Sequence, residues 1–216
     1  MGAKYVKSYA ANDMVKSSRF TEYWETLDKN FQKNVLVRID DLVDREKKYC
    51  DKGNYKHLSN IFTALALYEE LQKRGHSEDE ACKEVGEAMW KHEETFSKPK
   101  MVKFSGYGFF LPFMKRFLPS MFDKGSGYGW KYTWHMDDPK DLLRFECNAC
   151  IYAQILPRYD AARLGGIFCH ADVINYGELQ NIDFIRTETL CQTGKDCNFR
   201  FVRHPKGEAF TRTKSI

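Results

Sequence analysis

IDFIRTETLCQTGKDCNFRFV, residues 182–202, places two short apolar runs on either side of a polar segment that contains a glycine turn. Ile182 and Phe184 alternate with other residues, and so do those from Asn198 to Val202; this period of two marks strands. With TETLCQTGKDC between them, the two runs read as a β-hairpin. The same period occurs from Trp130 to His135 and from Leu142 to Cys147, separated by a turn at Asp137-Asp138-Pro139-Lys140, which predicts another hairpin. Between the hairpins the apolar spacing is helical, from Ala149 to about Asp160 and again from Leu164 to Leu179. The prediction is an α+β fold, with an antiparallel sheet of about four strands and helices inserted between the hairpins.

Upstream the period is helical throughout. From Phe20 to Lys48, apolar residues recur every three to four positions through Tyr23, Trp24, Leu27, Phe31, Val35, Ile39 and Leu42, predicting one long amphipathic helix or two that meet near Asn34. Gly53-Asn54 ends this pattern, and a second helix runs from about His57 to Arg74, closed by Gly75. Ser77 and Glu80 have the spacing of a capping box, so a third helix starts at Ser77. Residues 101–134 mix aromatics with prolines and glycines, and read either as a broken helix that packs on the core or as a mobile flap hinged at Gly125, Gly127 and Gly129. The organisation expected is a single domain, 1–216: a helical part over 1–100, the aromatic segment over 101–134 and the α+β part over 135–210.

Hydrophobic content of 43% with 30% charged residues is that of a globular chain, and 15% aromatic residues point to an aromatic core or pocket wall. The net charge of +4 arises from 34 Lys+Arg against 30 Asp+Glu dispersed along the chain, without the basic block that tracks phosphates, so nucleic acid is not an expected partner. Lys115 and Arg116 interrupt the most aromatic stretch, so no membrane span is expected there. The first residues lack the apolar run of a signal peptide, and the expected location is cytoplasmic.

Seven cysteines, an odd number, fit thiols in a reducing compartment better than a disulfide framework, and five of them fall between 147 and 197. Cys50 and Cys82 lie in helical stretches and read as small buried apolar residues. Cys147 and Cys150 form a lone close pair, whereas a structural zinc site needs four ligands; a zinc or iron site through Cys169, Cys191 and Cys197 stays open beside the expectation of no cofactor. On a helix starting near Gly166, Cys169 and Asp172 share a face while His170 points about 100° away, which suits a thiol nucleophile with an acid/base partner, or simply packing. Arg186 reads as a solvent-facing strand residue or as a clamp for a substrate carboxylate.

The combination of Cys150-Ile-Tyr152, FCHAD with Cys169 and Asp172, FIRTETL from Phe184 to Leu190, and Gly194-x-x-Cys197-x-Phe199 resembles the L-2-amino-thiazoline-4-carboxylate hydrolase family of bacteria. The resemblance implies a hydrolase that opens a small cyclic isothiourea or amidine-like substrate at carbon. It also implies a catalytic set of Cys169, as the nucleophile, with Asp172, Cys150 and Cys197. Arg186 would hold the substrate carboxylate, with Thr187, Thr189, Tyr152 and His170 on the substrate side. Cys147 and Cys191 lie outside the pattern. A fainter similarity reaches the 4-vinyl reductase domains, which would imply a non-catalytic small-molecule or metal-binding sensor. The expected partner is a small molecule, and a homo-oligomer is left open.

Overall fold

The computed structural model describes residues 9–216 and divides the chain into two compact units, one ending at His92 and one running from Glu93 to Ile216. The first unit is helical, with α1 (Ala11–Ser17), α2 (Thr21–Trp24), α3 (Lys29–Arg45), α4 (Tyr55–Lys73) and α5 (Glu78–His92). Helix α4 is apolar on nearly every side, from Leu58 through Ile61, Phe62 and Leu65 to Leu71, and it packs against α1, α3 and α5 as the central helix. The expected stops hold: Gly75 adopts φ +97°, a left-handed conformation open to glycine, and Ser77 and Glu80 form the reciprocal cap at the start of α5.

Two expectations for this unit are corrected. The break expected near Asn34 lies at Asp28, whose carboxylate accepts the Phe31 N–H at 2.9 Å and starts α3. Asn34 sits inside α3 and donates to Glu70 of α4 at 2.8 Å. Apolar spacing runs across the break because it does not register a cap. Cys50 and Cys82 are half-buried rather than core residues, and burial, with Glu46 and Asp51 nearby, pushes Cys50 up to about 12.

The second unit opens with a single π-helical turn, Glu93–Ser97. There follow α6 (Lys98–Ser105), α7 (Phe110–Gly125), β1 (Lys131–Trp134), β2 (Leu142–Ala149), α8 (Ile151–Ile155), α9 (Leu164–Tyr176), β3 (Ile182–Ile185) and β4 (Cys197–Arg203). The segment 101–134 is thus a broken helix to Gly125, interrupted at 106–109, whose Phe110, Leu111 and Leu118 enter the core, followed by a loop and β1. The two predicted hairpins are joined through their inner strands into one antiparallel sheet of order β1-β2-β4-β3, which confirms the α+β class.

The register decides which residues meet on the inner face. Leu143 opposes Phe201, Phe145 opposes Phe199, and Cys147 opposes Cys197. Phe145 and Phe199 stack at 4.7 Å, and Phe184 and Tyr176 close an aromatic layer around Phe201. Each such buried ring stabilises the fold by roughly 1.5–3 kcal/mol, so this layer fixes the sheet rigidly on α7 and α9. One end of the inner face is therefore aromatic and the other carries thiols. The outer edge of β3 is covered by residues 212–216: Thr213 donates twice to the Asp183 carboxylate, and the Ile216 N–H reaches the Arg186 carbonyl at 3.0 Å.

Candidate active site: a thiol cluster around Arg186

Arg186 follows directly on β3 and continues its inward-facing row, so its guanidinium enters the space between the sheet and α9. It is only 1% exposed, and its stem and head pack over the rings of Phe184 and Phe199. A guanidinium in such a place needs its donors matched. Its Nη1 donates to Asp172 Oδ2 at 2.6 Å, its Nη2 to the Cys169 carbonyl at 2.6 Å, and its Nε to the Ile216 oxygen at 2.7 Å. Neither sequence reading of Arg186 describes this: the residue is not solvent-facing, and the carboxylate it holds is Asp172 of its own chain.

Cys169 and Asp172, one turn apart on α9, both meet Arg186, Asp172 through its carboxylate and Cys169 through its backbone carbonyl. Five thiols converge beside them. Cys147 and Cys197 are opposed across β2 and β4; the Cys147 thiol donates to the Ala149 carbonyl at 3.2 Å, and the Leu190 N–H donates to Cys197 Sγ at 3.3 Å. Cys150, at the head of α8, touches Cys191, and Cys191 in turn touches Cys169. Cys150 and Cys169 are 9% exposed and Cys191 is half-buried, so this second group lies just beneath the surface.

The contacts polarise both groups. The hydrogen bond from Cys191, the Arg186 charge and the Thr189 hydroxyl hold the Cys169 thiol below the ordinary range, against the opposing effects of burial and the Asp172 charge. The neighbouring Cys150 and Cys169 sulfurs, together with burial, push Cys191 up. In the strand pair, the Cys147 contact and the Leu190 N–H lower Cys197, while the Cys197 contact and burial raise Cys147. Among the described residues, no group of three or more His, Cys, Asp or Glu side chains is arranged to hold a metal ion, and Cys169, Cys191 and Cys197 form no such group here.

The remaining candidates are placed unequally. Thr189 is fully buried beside Cys169, and its carbonyl accepts the amides of Thr193 and Gly194, which closes the turn that carries Cys191. Tyr152 is buried against Phe168 and Trp130. His170 is exposed, and partial burial with the neighbouring Arg186 charge lowers its pKa. Thr187 is also exposed, and its hydroxyl accepts from Asn198 at 2.9 Å.

Sequence reading passed over three contributors. Asn198 accepts the amides of Thr187 and Glu188 at 2.9 Å each and so steers the chain out of β3. The tail segment supplies the Ile216 oxygen. Gly165, on the same face of α9 as Cys169, lets the Cys191 turn come close: a Cβ there would lie 2.7 Å from Cys191 Cβ and 2.8 Å from its Sγ. The Gly165-Gly166 pair was the available signal, because two glycines at the start of a helix are costly unless a close approach requires them.

Gly165→Ala is expected to destabilise the chain by about 1–3 kcal/mol in urea unfolding, since the obstructing atom is a Cβ and cannot swing aside. It also separates Cys191 from Cys169, so alkylation of Cys169 at neutral pH slows. A stabilised protein with unchanged Cys169 reactivity, as helix propensity alone would give, contradicts this packing.

No curated protein and no solved structure matches the chain. A family model described as L-2-amino-thiazoline-4-carboxylic acid hydrolase matches residues 55–201 of the 216, a span that includes all five clustered thiols, Asp172 and Arg186. By that match, which agrees with the motifs between Cys150 and Phe199, the chain belongs to the L-2-amino-thiazoline-4-carboxylic acid hydrolase family.

Proposed function

We propose that the chain is a thiol-dependent hydrolase of a small carboxylated cyclic isothiourea, with L-2-amino-thiazoline-4-carboxylate as its model substrate and Cys169 as its nucleophile. The observation that carries this reading is the setting of Cys169: a near-surface thiol with its pKa lowered, flanked by a protonated thiol, a buried guanidinium and an anchored carboxylate.

In the reaction, the Cys169 thiolate attacks the ring carbon that is bonded to sulfur and two nitrogens. The ring carbon–sulfur bond breaks, and the departing sulfur leaves as a thiolate, which takes a proton from water. A thiol-linked isothiourea remains on Cys169. Water then adds to that carbon with Asp172 as the base, its carboxylate fixed in place by Arg186. Collapse of the adduct expels Cys169 and leaves a carbamoyl-cysteine with a free thiol. Cys150, buried at the head of α8, lies beside Cys191.

The test is incubation of the purified chain with L-2-amino-thiazoline-4-carboxylate, following free thiol and the carbamoyl product together. One thiol per substrate consumed is expected, with kcat/KM rising with pH along a limb centred below about 8.5, the value of an unperturbed thiol. The direction follows from the group: a thiol is active once deprotonated, and a lowered pKa moves the rise to lower pH. Failure to turn over this compound and other carboxylated cyclic isothioureas overturns the reading.

A further inference from the structure

The place of Cys191 in the cluster suits more than hydrolysis. It sits on the turn closed by the Thr189 carbonyl, is half-buried, and contacts Cys169 on one side and Cys150 on the other. Gly165 holds it there by withholding a Cβ. A turn is also the element that can shift by the small distance separating thiol contact from a covalent sulfur–sulfur bond of about 2 Å. Cys147 and Cys197 have no such freedom, being locked opposite one another in adjacent strands of the sheet.

We propose that Cys169 and Cys191 form a reversible peroxide-driven disulfide, Cys169 being the sulfur oxidised and Cys191 the sulfur that resolves it. The Cys169 thiolate attacks hydrogen peroxide; the oxygen–oxygen bond breaks, a sulfur–oxygen bond forms, and hydroxide leaves. The Cys191 thiol then attacks that sulfenic sulfur, the sulfur–oxygen bond breaks, and water departs as the disulfide forms. Peroxide is reduced to two waters overall, the hydroxide taking the proton that Cys169 released on ionising. Two thiols are oxidised. A small-molecule dithiol reverses the bond by exchange. The device rests on the same Cys169 thiolate as the hydrolase reading. It protects that thiolate, because a sulfenic acid without a neighbouring thiol proceeds to sulfinic acid, which dithiol does not recover.

The test uses the full-length wild-type chain, treated with hydrogen peroxide and then blocked, digested with trypsin and mapped by mass spectrometry. Cys169 lies in the peptide 164–186, Cys191 in 187–195, Cys147 and Cys150 together in 145–158, and Cys197 in 196–200, so each pairing has its own signature. The expected product is 164–186 linked to 187–195, lost on dithiothreitol treatment. Cys191→Ser is expected to abolish this species and leave Cys169 as sulfinic acid, whereas Cys147→Ser leaves the link intact. Linkage through any other pair overturns the proposal. So does stepwise over-oxidation of Cys169 without a cross-link in the wild type, or a cluster that peroxide leaves unmodified. The readout is independent of turnover: cross-linking without thiazoline hydrolysis sinks the hydrolase reading alone, and hydrolysis with clean sulfinylation sinks this one alone.

Discussion

Arg186→Ala is expected to cost about 3–5 kcal/mol in urea unfolding. Three hydrogen bonds are lost at once, to Asp172, to the Cys169 carbonyl and to the Ile216 oxygen. The void over Phe184 and Phe199 adds a packing loss. Asp172 moderates the effect, because its side chain is 36% exposed and its freed carboxylate stays partly hydrated. Arg186→Lys keeps a charge but not the fork, so it recovers part of the stability and not the geometry. Both variants remove a positive or bidentate anchor from Cys169, and alkylation of that thiol at neutral pH slows. A loss below about 1 kcal/mol for Arg186→Ala contradicts the central position given to this side chain.

The hairpins were legible because a half-buried strand writes its period directly: Leu143, Phe145 and Cys147 point inward while their neighbours do not. Their joining through β2 and β4 was not legible, since nothing local in either hairpin states which edge meets the other. The α5 start was legible for the opposite reason, its signal being contained within Ser77 and Glu80. Asp28 was equally local and was overlooked beneath an apolar spacing that continued across it.

In the site, the three-residue spacing of Cys169 and Asp172 correctly put them on one face, because helix geometry is fixed. The burial of Arg186 against an internal carboxylate was not legible, since it depends on a strand and a helix separated by a loop. The role of residues 212–216 had no sequence signal, because their partners are backbone groups and Asp183. Aromatic content was expected to mark a core or a pocket. It fills the core, but Phe109, Phe113, Phe117 and Met121 recur every four residues on the exposed side of the α7 segment.

Cys169→Ser should reduce kcat/KM for L-2-amino-thiazoline-4-carboxylate by roughly 10³-fold or more, because a hydroxyl held in the same place stays protonated at neutral pH and attacks poorly. The exchange changes little volume and leaves the Arg186 contact to the residue 169 carbonyl, so the unfolding midpoint should shift only slightly. Cys147→Ser serves as an internal control, because it alters a buried strand residue to which the proposed reaction gives no step. The most direct measurement is therefore kcat/KM of Cys169→Ser beside the wild type, at equal folded fraction and across pH 6–9. The account predicts a loss of about 10³-fold or more at every pH, together with disappearance of the thiol-controlled rising limb. A variant that retains turnover within about tenfold of the wild type, with the limb in place, contradicts it.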